Sequence, residues 1–151
     1  MYRIERATAE QMGQVRSLFQ EYADSLETDL CFQNFSRELA ELPAHYDPIL
    51  LAFGEDGTEA GCAALRPLTG NAGEMKRLYV RPAHRGRGLG RQLAEAVIRS
   101  AQERGFATLR LDTLPEMSDA IALYRRMGFR EIDPYYANPV AGALFLELPL
   151  P

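Results

Sequence analysis

Glu74-Met75-Lys76-Arg77-Leu78-Tyr79-Val80-Arg81-Pro82 runs directly into Ala83-His84-Arg85-Gly86-Arg87-Gly88-Leu89-Gly90-Arg91, and these eighteen residues decide the architecture. The first seven read as a strand, which Pro82 ends because it has no N–H to give a ladder. From Leu89 to Arg104, apolar residues recur at 89, 93, 97 and 101, the spacing of one helix face, and Gly105 closes the helix. Between strand and helix lie glycines that let the backbone turn sharply and approach a ligand with no Cβ in the way. Loop amides and the first helical turn, reinforced by the helix dipole, make a phosphate site. Arg85, Arg87 and Arg91 add positive charge there. The chemistry these residues predict is diphosphate binding.

Spacing separates three signatures of that chemistry. A Walker loop needs GxxxxGK[ST], and neither the lysine nor the hydroxyl is present. A dinucleotide loop needs GxGxxG, but counting from Gly86 the last position is Arg91. The acidic residue expected about 20 further on is not cleanly placed either, although Asp112 is not far off. The pattern that fits is [Q/R]xxGx[G/A], met by Arg85, Gly88 and Gly90.

Outward from this stretch, Tyr2 to Arg6 reads as a first strand. Thr8 with Gln11 forms a capping box, and Met12, Val15, Leu18, Phe19 and Tyr22 recur on one helical face. A short helix is expected from Phe35 to Leu42, stopped by Pro43. Residues 49–53 and 60–65 read as strands joined by an Asp56-Gly57 hairpin turn. Strands are further expected at 108–112, 129–132 and 143–148, with a helix from Met117 to Met127. An antiparallel N-terminal half thus leads into a strand–helix–strand–helix–strand half. The fold class is α/β, a mixed sheet with flanking helices, in a single domain over residues 1–151.

Composition narrows the classes. The 151 residues suffice to bury a core without disulfides or metal, and the 46% hydrophobic and 25% charged content is ordinary globular usage. No apolar run approaches the roughly 20 residues of a membrane helix, and the N-terminus has no signal-type segment, so the expected location is cytoplasmic. A net charge of −4 without a Lys/Arg cluster argues against a nucleic-acid partner. Cys31 and Cys62 show no CxxC pairing and read as reduced thiols. His45 and His84 lack metal-ligand spacing, so no metal is expected.

Residues 75–82, the glycine loop, the helix after it and Ala122-Leu123-Tyr124-Arg125-Arg126-Met127-Gly128-Phe129 together resemble the GCN5-related N-acetyltransferase (GNAT) superfamily over about residues 72–132. The resemblance implies an acyl-CoA N-acyltransferase fold, with acetyl-CoA as co-substrate in a wedge where the central sheet splays. It places Leu78, Tyr79 and Val80 along the pantetheine arm, with the Val80 N–H toward the thioester carbonyl. Residues 85–91, which are Arg85, Gly86, Arg87, Gly88, Leu89, Gly90 and Arg91, would hold the pyrophosphate.

Two residues carry the implied chemistry. An aliphatic amine is mostly ammonium at pH 7 and must lose a proton before attack. Glu74 stands where many family members carry a catalytic glutamate, and regular pleating would put it on the same face as Val80. Its other reading is a strand-end carboxylate paired with Lys76, and a base acting through water fits as well. Tyr124 matches the tyrosine that protonates the departing thiolate; its other reading is a core tyrosine beside Ala120 and Met127. Leu114-Pro115-Glu116-Met117 does not match the polar positions common before this helix, so no role is assigned there.

The acceptor pocket is expected from residues 24–33 and 133–139, with Phe32, Tyr135, Tyr136 and Asn138 as its candidates. Acids and aromatics mixed in both segments suit a small cationic amine with some apolar body, or a peptide amine. Solvated loops explain the same composition. A covalent route through Cys31 with His45 or His84 has no support in the spacing. The alternative function is a non-catalytic acyl-CoA-binding or sensing module on the same fold. A homodimer is compatible with that fold by analogy alone.

Overall fold

The computed structural model describes residues 1–26 and 34–151; Cys31 and Phe32 lie outside them. The strands are β1 (Arg3–Arg6), β2 (Ile49–Phe53), β3 (Glu59–Leu68), β4 (Ala72–Val80), β5 (Thr108–Thr113), β6 (Arg130–Ile132) and β7 (Leu144–Pro149). The helices are α1 (Met12–Ser25), α2 (Phe35–Glu41), α3 (Leu89–Glu103) and α4 (Ser118–Arg126). One seven-stranded sheet runs in the order β1-β2-β3-β4-β5-β7-β6. Its first four strands form an antiparallel meander, β4 and β5 are parallel, and β7 is antiparallel to both of its neighbours. The strand–helix–strand–helix–strand reading therefore holds in order, but β4–β5 is the sheet's parallel pair. β7 slots between β5 and β6.

Local chemistry explains the ends of the elements. The Gln11 side chain accepts the Thr8 amide at 2.9 Å, so the expected capping box starts a 3-10 turn that continues as α1. Asp56 accepts from both the Thr58 amide (3.0 Å) and its hydroxyl (2.8 Å), stiffening the β2–β3 turn.

Each face of the sheet has its own core. On one face, Val15, Leu18 and Phe19 of α1 and Phe35 of α2 pack with Leu51 and Cys62. On the other, Leu89, Leu93 and Val97 of α3 and Tyr124 of α4 pack with Leu65, Met75 and Leu111. Burying both faces with apolar helix stripes is what lets the central strands read as nearly continuous apolar runs. Cys62 is fully buried, and burial pushes its thiol well above the ordinary range, consistent with an inert core thiol.

One strand departs from regular pleating. Register along β3 and β4 pairs Cys62 with Tyr79 and Ala64 with Lys76, so three steps on β4 face two on β3. The extra residue is a bulge at Arg77, whose φ is 60°, rare for a side chain of that size. Glu74, Lys76 and Tyr79, opposite Arg66, Ala64 and Cys62, consequently share the α1/α2 face. Leu78 and Val80 pack on the α3 side. Glu74 and Val80 therefore lie on opposite faces. The same-face expectation fails because six residues of uninterrupted alternation were assumed across a bulge.

Candidate active site

β4 and β5 pair only at Ala72–Thr108, Gly73–Leu109 and Glu74–Arg110. Both strands continue beyond that point, β4 to Val80 and β5 to Thr113, without pairing further. A cavity occupies the resulting wedge, lined by Met75, Leu78, Leu111, Met117 and Tyr124, with Lys76, Arg77 and Asp112 as its charged lining.

The Arg77 bulge lies on the β4 side of this wedge, and contacts to Glu38, Phe35 and Cys62 help hold it. The Arg77 guanidinium donates to both oxygens of Glu38 on α2, at 3.0 and 2.6 Å, with both side chains buried. Its charge lies 5.2 Å from the centre of the Phe35 ring. The Cys62 thiol donates to the Arg77 carbonyl at 3.3 Å. Paired, bidentate and stacked, the arginine holds an otherwise unfavourable backbone conformation.

Register also orients Val80. The Arg81 amide bonds to the Ala60 carbonyl at 2.8 Å, and Val80 is opposite Gly61. Antiparallel pairs alternate, so Val80 is a non-bonded position whose N–H and C=O point away from β3, toward the wedge. Arg85 Nε donates to the Val80 carbonyl at 3.0 Å, while the amide side faces the opening.

At the wide end stands the N-terminus of α3. Gly86 and Gly88 have φ of 77° and 80°, and a Cβ built on either would meet nothing within 4 Å. These two glycines serve left-handed backbone rather than tight packing. No side chain caps the helix at Gly88, so the first-turn amides of Leu89, Gly90 and Arg91 remain without an intrahelical acceptor. Such a cradle suits a diphosphate. Arg91 pairs loosely with Glu95 at 3.6 Å on the exposed helix surface.

The narrow end, where pairing stops, carries the polar groups on the α1/α2 face. Glu74 is fully buried; one oxygen accepts from Arg66 Nε at 2.6 Å and the other from the Tyr135 hydroxyl at 2.5 Å. Asp112 accepts from the Tyr136 hydroxyl and from Asn138 Nδ2 at 3.2 Å. The loop after β6 thus brings three sequence-predicted acceptor candidates, Tyr135, Tyr136 and Asn138, onto two strand carboxylates. The Tyr135 and Tyr136 rings both pack edge-on against Phe145. Burial, reinforced by the facing Glu74 carboxylate, pushes the Tyr135 phenol far above its ordinary range.

Tyr124 reaches the wedge from α4. It is 5% exposed and packs at 5.6 Å against Phe129. Burial raises its phenol well above 10, so it keeps its proton at neutral pH. Tyr22 of α1, also at the cavity, is pushed by burial to about 12.

Four groups escaped the sequence reading as site residues: Arg66, Lys76, Glu38 and Asp112. Lys76 and Asp112 were noticed only as a pairing partner and a misplaced acid. Their roles depend on strand register, which local sequence does not display. No group of metal-ligating side chains occurs among the described residues, and no described helix is long and apolar enough to cross a membrane.

Residues 12–129 match the family model described as the acetyltransferase (GNAT) family. An N-acetyltransferase of uncharacterized role from Schizosaccharomyces pombe is 40% identical over 138 residues, covering 88% of this chain and 85% of its own. Among solved structures, a candidate acyl-CoA N-acyltransferase from Klebsiella pneumoniae superposes with a TM-score of 0.80 at 31% identity. That match covers 99% of this chain and 98% of the other. An acetyltransferase from Salmonella typhimurium, solved with acetyl-CoA, shares the fold at a TM-score of 0.72 and 21% identity, covering 99% and 94%. The chain belongs to the GNAT family of acetyltransferases.

Proposed function

We propose that this chain is an acetyl-CoA-dependent N-acetyltransferase, acting in the cytoplasm as one domain over residues 1–151 and transferring directly to a small-molecule or peptide amine. The observation that carries the reading is the wedge between β4 and β5. It joins an uncapped helix N-terminus at one end to two buried carboxylates at the other. The Salmonella relative carries acetyl-CoA on this same fold.

The residues fit the coenzyme. Amides of residues 86–91 would hold its diphosphate, with Arg87 and Arg91 nearby, and the unpaired edge formed by Leu78, Tyr79 and Val80 would hold the pantetheine arm. When bound, acetyl-CoA supplies an electrophilic thioester carbonyl. The Val80 N–H is aimed where negative charge develops on that carbonyl oxygen; losing such a donor typically costs roughly 10²–10³ in rate.

Proton movement falls to the side chains. Glu74 takes the proton that the acceptor ammonium must lose. Because both carboxylate oxygens are engaged, the Tyr135 hydroxyl is the route between them: it accepts from the amine and donates to Glu74. The amine nitrogen then bonds to the carbonyl carbon as the carbon–sulfur bond breaks. Tyr124 gives its hydroxyl proton to the sulfur and is reprotonated from solvent. No covalent enzyme species is required, and Cys62 is too deeply buried to serve as one.

The test follows free thiol released from acetyl-CoA across a panel of amines, beside the melting temperature with and without coenzyme. Binding to the native state alone raises stability by about 2.7 kcal/mol at a hundredfold excess over Kd. Stabilisation together with amine-dependent thiol release is expected. Stabilisation without release for every amine would mark a coenzyme-binding module instead.

A further inference from the structure

The register of the sheet lines up one charged residue on each of five neighbouring strands, with signs alternating: Arg66, Glu74, Arg110, Glu147 and Arg130. Glu74 therefore has an arginine on either side, and the two behave differently. Arg110 Nε closes on Glu147 at 2.7 Å, and its guanidinium lies 5.6 Å from the centre of the Tyr135 ring. Arg66 Nε closes on Glu74 itself, at 2.6 Å. The Arg66 side chain is 40% exposed and that of Glu74 fully buried, so the pair straddles the boundary between solvent and sheet. The cation keeps much of its hydration there, and the carboxylate gives its own up.

An isolated carboxylate at such a depth takes up a proton and ceases to be a base. A guanidinium in contact with a carboxylate favours the ionised form by roughly one to three pH units. The contact also fixes geometry. With Oε1 held by Arg66, Oε2 is the oxygen that the Tyr135 hydroxyl reaches at 2.5 Å. Other charged and titratable groups on this face are Lys76 and Arg77 along β4, Glu38 on α2, Asp112 on β5, Tyr135 and Tyr136 on the loop after β6, and Tyr46 before β2. Their field stays in place when Arg66 is replaced, so the effect of Arg66 is read as a difference.

We infer that Arg66 is a positioning residue for the proposed base, holding Glu74 ionised with its second oxygen turned to Tyr135. The inference rests on the transferase reading and names the residue that governs its proton acceptor. Arg66 acts through Glu74, so replacing it should alter proton uptake and leave the hold on acetyl-CoA unchanged.

The experiment follows thiol release from acetyl-CoA against pH, with phenethylamine and with a short peptide of free N-terminus, in wild type, Arg66→Gln and Arg66→Lys. In Arg66→Gln the acidic limb should move up by about one pH unit or more, lowering turnover about tenfold on the limb and letting it recover as pH rises. KM for acetyl-CoA should hold. Arg66→Lys keeps the charge and should restore most of the wild-type profile. The position of a limb does not depend on how much protein is folded, so a destabilised variant still reports. An equal loss at every pH with the limb unmoved would overturn the inference and leave Arg66 a role in the fold alone. Adding Arg66→Gln to Glu74→Gln should cost no further turnover, and losses that multiply would also overturn it. Wild-type turnover in Glu74→Gln removes the base from the transferase reading, and the inference with it. Infrared spectra over the same pH range need no acceptor. The carbonyl band of a protonated carboxyl should persist to higher pH in Arg66→Gln than in wild type and be missing from the double variant. If neither amine is turned over, the transferase reading fails for both, and the infrared titration still decides whether Arg66 holds Glu74 ionised; an unmoved band says that it does not.

Discussion

Tyr124 is buried in the wedge and Tyr135 half-buried beside Glu74, and the proposed function gives them different work. Tyr124 faces apolar walls and Phe129, surroundings that keep its proton on and suit the proposed role of acid. A thiolate leaves reasonably well unaided because thiols have a pKa near 8.5. Tyr124→Phe should therefore lower turnover by roughly 10–10². Its melting temperature should fall by no more than the loss of one hydrogen bond, about 1 kcal/mol, implies. A large stability loss with proportionate activity loss would instead mark a core tyrosine. Tyr135 points its hydroxyl at Glu74. Glu74→Gln should cut turnover roughly 10²–10⁴-fold and remove the acidic limb of the pH–rate profile, with stabilisation by acetyl-CoA retained. A mutant with wild-type rate and profile would send the base role to Asp112 or to water.

At the scale of elements, the bulged strand β4 meets β3 most tightly where Gly61 lies. A Cβ built there would stand 2.4 Å from the Tyr79 carbonyl oxygen, which is backbone and cannot swing aside. Gly61→Ala should therefore push β4 off its register, lowering stability by about 1–3 kcal/mol and weakening coenzyme stabilisation together. Gly88→Ala separates those effects. It has open space but a φ of 80°, so the ligand-free protein should lose only about 1–2 kcal/mol. Loss of the acetyl-CoA-induced melting shift beyond that offset would place the diphosphate on this loop. Much at this scale was legible beforehand. Apolar spacing located α1 and α3, Thr8 and Gln11 marked a helix start, and the glycines marked the cradle. The bulge was not, because an arginine at positive φ has no local signature; it is imposed by Glu38, 39 residues earlier in the chain. Nor was the contact of residues 133–138 with Glu74 and Asp112, since tertiary folding alone brings that loop over β4 and β5. Its mixture of tyrosines and asparagine did mark it as a place to look.

Across the whole molecule, Glu21 of α1 receives the Arg81 guanidinium at 3.0 and 2.7 Å, fastening the helix to the chain just past β4. That hydrogen bonding holds the Glu21 carboxyl below its ordinary 4.5. A depressed folded-state value contributes stability above about pH 4.5 that is lost as pH falls through the lower value. The melting temperature should decline on acidification below pH 4.5, and Glu21→Gln should flatten part of that decline. With the side chain 38% exposed, solvent screening keeps the effect modest. The bulge at Arg77 has a broader consequence. By reversing the alternation partway along one strand, it gives that strand two independent readers. On the proposed function, positions 74 and 76 would look toward the acceptor and positions 78 and 80 toward the coenzyme. Under that reading, substitutions at the former would retune the choice of acceptor and leave the hold on the coenzyme intact.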